Sequence, residues 1–232
     1  MNGKDRALRE PGSARLVATL GLVGLLSGLI IVSVFEATQP TVVAYQAKVL
    51  REAVFKVLPG TVHMQGLVFQ EGRLQVKDEE DQDEEALFGG YDAQGRLLGY
   101  AIPGAGPGFQ DTIRLIYGYR PDTRQVVGME IVESRETPGL GDKIYKDAAF
   151  VADFGALAID PRIETVKRGI QAAANQVNAI TGATISSKAV VRIISQGNAR
   201  WLERLPPPEA IPPLEDWRHG SAGVPPAVIN AE

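Results

Sequence analysis

The chain has 232 residues, 44% hydrophobic and 22% charged, enough for one ordinary domain and an appendage. It has no Cys, which excludes disulfides, Cys-ligated zinc, iron–sulfur ligation and thioether-linked haem, and its two His, His63 and His219, are too far apart in sequence for a His-rich metal site. A formal net charge of −4 argues against a general nucleic-acid binder.

The first predicted element is a membrane span. Leu16 to Phe35 is twenty residues without a charge. At helical rise such a run covers roughly 30 Å, the thickness of a bilayer's hydrocarbon core. Residues 1–15 carry four basic residues against two acidic ones, and the far flank opens with Glu36. The positive-inside rule therefore puts the N-terminus in the cytoplasm and everything after Phe35 outside it. A cleaved signal peptide is the rival reading. The run is too long for a typical signal core, and the nearest cleavage candidate, Phe35-Glu36-Ala37, offers Phe where a small residue is wanted.

Pro40 is placed to open a second helix, which an amphipathic period carries to Leu58 and Pro59-Gly60 ends. Strand-like runs follow at 66–69, 73–76, 86–91 and 96–102, with a hairpin turn at Asp92–Gly95. Between the second and third runs, residues 78–85 hold seven acids. This run reads as a solvated loop tip; the sharper readings are a docking tag for a basic partner and a calcium loop, against which stands the lack of an EF-hand's Gly turn and terminal Glu. A Gly/Pro-rich loop from Pro103 to Gly108 precedes two more strands, 112–119 and 125–133, joined by a second hairpin turn. A short helix is expected at 143–153 and a longer one from Ile185 to Leu205. Seven of the fifteen prolines then fall between Pro206 and Pro226, a composition that does not pack. The pattern predicts an α+β fold: a mainly antiparallel sheet flanked by helices, preceded by one N-terminal transmembrane helix.

Two segments carry chemistry. The first, Ile180–Ser187, contains Thr181, Gly182, Ala183 and Thr184 at the start of the last helix, followed by Ser186 and Ser187. Gly182 permits a tight turn, and the unpaired N–H groups of the first helical turn suit an anion such as phosphate. The second is Glu136-Thr137-Pro138-Gly139-Leu140-Gly141-Asp142-Lys143. Pro138 and two Gly impose an irregular backbone that can press N–H groups and the Leu140 side chain against a flat ligand, with Lys143 to neutralise charge. Alone, each segment also reads as ordinary structure, a capped helix start and a strand-to-helix turn.

Together, in this order behind a single anchor, they resemble the FMN-binding domain family of RnfG and NqrC, membrane-anchored subunits of the Rnf and Na+-translocating NADH:quinone oxidoreductase complexes. The likeness covers the anchor, Leu58-Pro59-Gly60, Glu136–Lys143 and Thr181–Ser187, most of residues 16–205. One anchor and one flavin domain look more like RnfG than NqrC. The resemblance implies an extracytoplasmic FMN-binding domain 36–205 behind the cytoplasmic segment 1–15 and the transmembrane helix 16–35; the Pro-rich composition makes residues 206–232 a flexible tail, which has no counterpart in the family. The resemblance also implies FMN held as a phosphoester on the last Thr of a Ser/Thr-Gly-Ala-Thr motif, here Thr184, attached by a separate flavin transferase whose motif opens with an acid where this chain has Asn178. Thr181, Gly182, Ala183, Ser186, Ser187, Glu136, Thr137, Gly139, Leu140, Gly141 and Lys143 are the expected FMN contacts. The implied role is an electron-transfer subunit of an ion-translocating complex in the inner (plasma) membrane, partnered by other membrane subunits, rather than an enzyme on its own. The alternatives are a solitary FMN-binding reductase and a non-catalytic anchored flavin-binding protein. The chain departs from the family at Asn178, where the attachment motif has an acid, and at Ser134 and Arg135, where many members have a His.

Overall fold

The computed structural model of the chain describes residues 12–77, 85–169 and 172–206. Most of residues 1–15, the acidic run apart from Glu85 and the residues beyond Pro206 lie outside the described residues. The chain divides after Lys48 into two units.

The first unit holds most of α1 (Ser13–Val57), a helix long and apolar enough to cross a bilayer. The large apolar side chains between Leu16 and Phe35 are exposed. Thr19 and Thr38 turn their hydroxyls inward, Thr19 Oγ1 donating to the Arg15 carbonyl at 2.8 Å and Thr38 Oγ1 to the Val34 carbonyl at 2.9 Å. Pro40 does not open a second helix but lies inside α1. It has no N–H for the carbonyl four residues earlier, so one ladder bond is missing there. Extending an existing helix across that gap avoids the unfavourable step of nucleating a new one.

The second unit is built on a sheet of seven antiparallel strands in the order β2-β1-β3-β4-β5-β6-β7: β1 (His63–Gln70), β2 (Arg73–Val76), β3 (Ala86–Tyr91), β4 (Leu97–Pro107), β5 (Thr112–Arg120), β6 (Gln125–Glu133) and β7 (Leu157–Ala158). Alternation assigns the two faces. Ala101 and Ile116 face the end of α1, where Ala53, Val54, Val57 and Leu58 are buried. Tyr100, Ile102, Leu115 and Tyr117 face the other way, into the main core with Val190, Ile193, Ile194 and Trp201 of α4 (Thr184–Trp201). Two glycines set the first packing distance: a Cβ on Gly118 or Gly128 would collide with the Val57 backbone.

Two further expectations are overturned. The run that opens at Pro103 is not a loop from its start: β4 continues to Pro107, pairing Pro103 with Ile116 and Pro107 with Thr112. Its β3 partner stops at Phe88↔Ala101, so both prolines sit where one edge needs no N–H. Gly104 and Gly106 admit Ile193, whose side chain would lie 2.7 and 2.8 Å from a Cβ at those positions. The expected helix at 143–153 is two, α2 (Lys143–Lys146) and α3 (Ala148–Ala152). Asp147 breaks it by taking extended backbone and accepting hydrogen bonds from the N–H groups of Ala149 and Phe150 at 3.1 and 3.2 Å, a side-chain N-cap. The chain also forms a parallel pair, β8 (Glu164–Lys167) and β9 (Gln176–Ala179). At four residues each, these strands are too short to give a period.

Candidate functional site

The site begins where β9 ends. Ile180 is buried, and the Ala183 N–H bonds back to its carbonyl at 3.0 Å, closing a turn through Thr181 and Gly182. Gly182 has φ +84°, a left-handed conformation that L side chains rarely adopt. Ser187, fully buried, staples the turn: its hydroxyl donates to the Ala183 carbonyl at 2.9 Å and accepts from the Ile180 N–H at 3.1 Å. Ala183 is the N-cap residue of α4 and provides no side-chain cap. Thr184 is thus the first helical residue. It is exposed, and its hydroxyl bonds to none of the described residues. The first backbone bond at this helix start is Ser187 N–H to the Ala183 carbonyl, so the N–H groups of Thr184, Ile185 and Ser186 precede the ladder. With the positive end of an 18-residue helix behind them, they favour an anion.

The second segment arrives from β6. Gly139, at φ +77°, sits at the tip of a turn closed by the Leu140 N–H on the Thr137 carbonyl at 3.1 Å. A Cβ on Gly139 would meet nothing within 4 Å. Leu140 is half exposed and lies 3.9 Å from where a Gly182 Cβ would stand. The two segments therefore meet, forty-two residues apart in sequence at that point. A second junction lies beneath: Ser186 Oγ donates to Glu136 Oε2 at 2.5 Å.

The expected contact residues separate by exposure. Thr181, Gly182, Thr184, Gly139 and Leu140 are exposed, and Thr137 and Lys143 are half-buried. Glu136, Gly141, Ala183, Ser186 and Ser187 are buried. The Thr137 hydroxyl donates to Gln110 Oε1 at 2.7 Å. Burial alone would raise the Glu136 pKa. Hydrogen bonds from Ser186 and from the N–H groups of Gln110, Asp111 and Phe109 outweigh it, holding the carboxyl below its ordinary range. Asp142, also buried, is held low chiefly by the hydrogen bond from the Lys146 ammonium, 2.5 Å away.

Sequence reasoning missed three contributors. The turn Gly108–Asp111 after β4 brings Phe109 to the surface, 65% exposed, beside Glu136. Tyr145 on α2 and Ile185 on α4 are exposed too, so with Leu140 four large apolar side chains on the converging segments face solvent. Four exposed large apolar side chains on segments adjoining one helix start are informative where a lone exposed Leu is not. The third contributor is Asp153, whose Oδ2 accepts from the Asn178 backbone N–H at 2.7 Å and from its Nδ2 at 3.2 Å. Asp153 and Asn178, with Ala149, Phe150, Arg168 and Gly169, line a cavity of about 230 Å³. A lone Gly before Phe is the only sequence signal for the first of these, and pairing of Asp153 with Asn178 has none.

Among the described residues no group of three or more His, Asp or Glu could hold a metal ion. What the surface can hold is an anionic group at the start of α4, beside apolar side chains and two open glycines. That fits a phosphate joined to a flat apolar ring.

The FMN-binding domain family model matches residues 108–197, which span both segments. The G subunit of an ion-translocating oxidoreductase complex from Methanosarcina acetivorans is 27% identical over 177 residues, 76% of this chain and 88% of that one. Its namesake from Cereibacter sphaeroides is 29% identical over 198 residues, 81% of this chain and 87% of that one. Among solved structures, the C subunit of the Na+-translocating NADH-quinone reductase of Parabacteroides distasonis shares the fold, with a TM-score of 0.53 at 17% identity, covering 69% of this chain and 94% of that one.

Proposed function

We propose that the chain, whose residues 108–197 match the FMN-binding domain family, is a membrane-anchored electron-transfer subunit of an Rnf-type ion-translocating oxidoreductase complex, carrying FMN as a phosphoester on Thr184. The observation that carries this reading is the meeting of Leu140 with Gly182 beside the exposed, unbonded hydroxyl of Thr184. The relatives named as G subunits support its place in a complex with other membrane subunits. The apolar run of α1 supports an anchor in the inner membrane, and the flanking charges support a cytoplasmic N-terminus with the domain on the outer side.

The residues divide the work. Thr184 supplies the oxygen. When a flavin transferase presents its donor, that oxygen forms the new P–O bond, the donor's pyrophosphate bond breaks, a nucleoside monophosphate leaves and the hydroxyl proton is released. The N–H groups of the first turn of α4 and the helix dipole stabilise the resulting negative charge. Thr181 and Lys143 lie on the same segments to bond or neutralise the phosphate, and Leu140 and Gly139 offer the ring an apolar face. The bound flavin would supply reversible electron transfer, tuned only by packing and hydrogen bonding, because a phosphoester leaves the ring itself unmodified. Even a nanomolar site, worth roughly 12 kcal/mol, empties where free ligand is scarce, and a covalent bond removes that equilibrium.

The test is expression of the full chain with and without a flavin transferase. A flavin that survives denaturing electrophoresis, with its added mass on the peptide containing Thr184, is the expected result. Added mass on Thr181, or none when the transferase is present, would refute the assignment, and the second outcome would implicate Asn178.

A further inference from the structure

We infer that Glu136 is the positioning residue of this site: its buried carboxylate clamps three segments together so that the loop carrying Leu140 and the helix start carrying Thr184 meet. The inference rests on the reading of Thr184 as the flavin acceptor. The sequence offered Glu136 as a cofactor contact, but it is only 5% exposed. Its Oε1 accepts from the N–H groups of Phe109, Gln110 and Asp111 at 2.9, 3.0 and 3.4 Å, and its Oε2 accepts from Ser186 Oγ at 2.5 Å.

Three of the four partners are backbone N–H groups, which can only donate, and the Ser186 hydroxyl donates as well, the arrangement that suits an ionised carboxylate. Among the described residues no Lys or Arg pairs with Glu136. The nearby Arg135 is directed instead to Asp111 and Glu133, at 4.0 and 3.7 Å. Hydrogen bonds alone therefore hold the charge. The enclosure is equally specific. A Cβ on Gly108 would collide with Oε1, and one on Gly141 would stand 2.5 Å from Oε2 and 2.8 Å from the Glu136 Cβ. Glycine at both positions lets the turn after β4 and the far end of the loop close over the carboxylate.

What the clamp joins explains its role. Ser186 is two residues beyond Thr184 on α4, and Leu140 is four residues beyond Glu136. The carboxylate thus sets where the exposed Thr184 hydroxyl lies relative to Leu140 and Phe109. The bond from Thr137 to Gln110 ties the same loop to the same turn but does not reach α4. Only Glu136 spans all three segments among the described residues.

The experiment uses the full chain with Glu136→Ala, Glu136→Gln and Ser186→Ala. Hydrogen exchange of the flavin-free protein is measured over residues 106–113 and 137–146. Flavin uptake with the transferase and the visible spectrum of the attached flavin are measured separately. Ser186→Ala severs only the link to α4, so it remains informative where Glu136→Ala fails to fold. Exchange in both segments of Ser186→Ala should rise together by roughly tenfold, the loss expected for one charge-assisted hydrogen bond. Flavin uptake should slow and the spectrum should shift, and Glu136→Gln, which keeps the shape, should recover part of what Glu136→Ala loses. Wild-type exchange in Ser186→Ala would overturn the inference. So would faster exchange with unchanged uptake and spectrum, which would make the clamp purely structural. Because exchange is read without flavin, a wild-type chain that takes up no flavin would refute the acceptor reading and still leave the clamp to be judged.

Discussion

Thr184 and Thr181 sit three residues apart in one turn, both exposed, yet they differ in what surrounds them. Thr184 opens α4, where unpaired N–H groups converge, while Thr181 precedes the left-handed Gly182. Thr184→Ala should therefore abolish covalent flavin while the domain stays folded, since the residue caps nothing and even a lost cap costs only about 1 kcal/mol. Thr184→Ser keeps a nucleophile and should retain some attachment, and Thr181→Ala should reduce loading without eliminating it. Peptide mass spectrometry reads all three. A pH dependence follows from Glu136. Its pKa is lowered in the folded chain from an ordinary 4.5, so its stabilisation is complete above that value and is lost as pH falls through the lower folded-state value. The difference in melting temperature between wild type and Glu136→Gln, measured from neutral pH downward, should shrink below pH 4.5. A constant difference would mean the carboxylate is not ionised in the fold.

The glycines on β5 and β6 are where the end of α1 meets the sheet. A Cβ on Gly118 would overlap the Val57 carbonyl oxygen, and backbone cannot rotate away as a side chain can. Gly118→Ala should cost about 1–3 kcal/mol as overpacking does, lowering the melting temperature by roughly 2–4 °C per kcal/mol in a domain of this size. Gly139→Val tests the opposite case. Nothing lies within 4 Å of its Cβ position, so the effect is backbone strain at φ +77°. On the proposed reading, in which this loop faces the ring and Thr184 is the acceptor, it should disturb the flavin spectrum while leaving attachment possible. These elements also show where patterning fails. The amphipathic run to Leu58 was legible, but the continuity of α1 through Pro40 was not, because a proline marks a helix start and a helix interior with the same letter. Gly and Pro in 103–107 spelled a loop, yet they form strand because Ile193 needs the glycines' space and the pairing of β4 with β3 has already ended.

For the molecule as a whole, the exposed apolar length of α1 predicts behaviour that the second unit alone would not have. The protein should sediment with membranes, resist carbonate extraction and be open to protease only from the outer face. Release of a soluble form beginning near Ala37 would instead mark residues 16–35 as a cleaved signal. Removing those residues should leave a soluble domain that still takes up flavin, because the contacts that build the site all fall between Gly108 and Ser187.

Local composition alone determined the apolar span, the hairpin strands and the two segments rich in Gly, Thr and Pro, because periods of 2 and 3.6, uncharged length and turn residues are properties of neighbours in the chain. That the two segments belong to one site followed from their resemblance to a family and not from their spacing. Only the tertiary structure decided which of these residues are exposed and which are buried to hold the frame. Glu136, Ser186 and Ser187 read as polar groups available to a cofactor. Folding buries all three and turns their donors and acceptors onto one another and onto the backbone, fifty residues away in the case of Ser186 and Glu136. A buried polar group must find a partner, and which partner it finds depends on packing between distant segments, which no local pattern encodes.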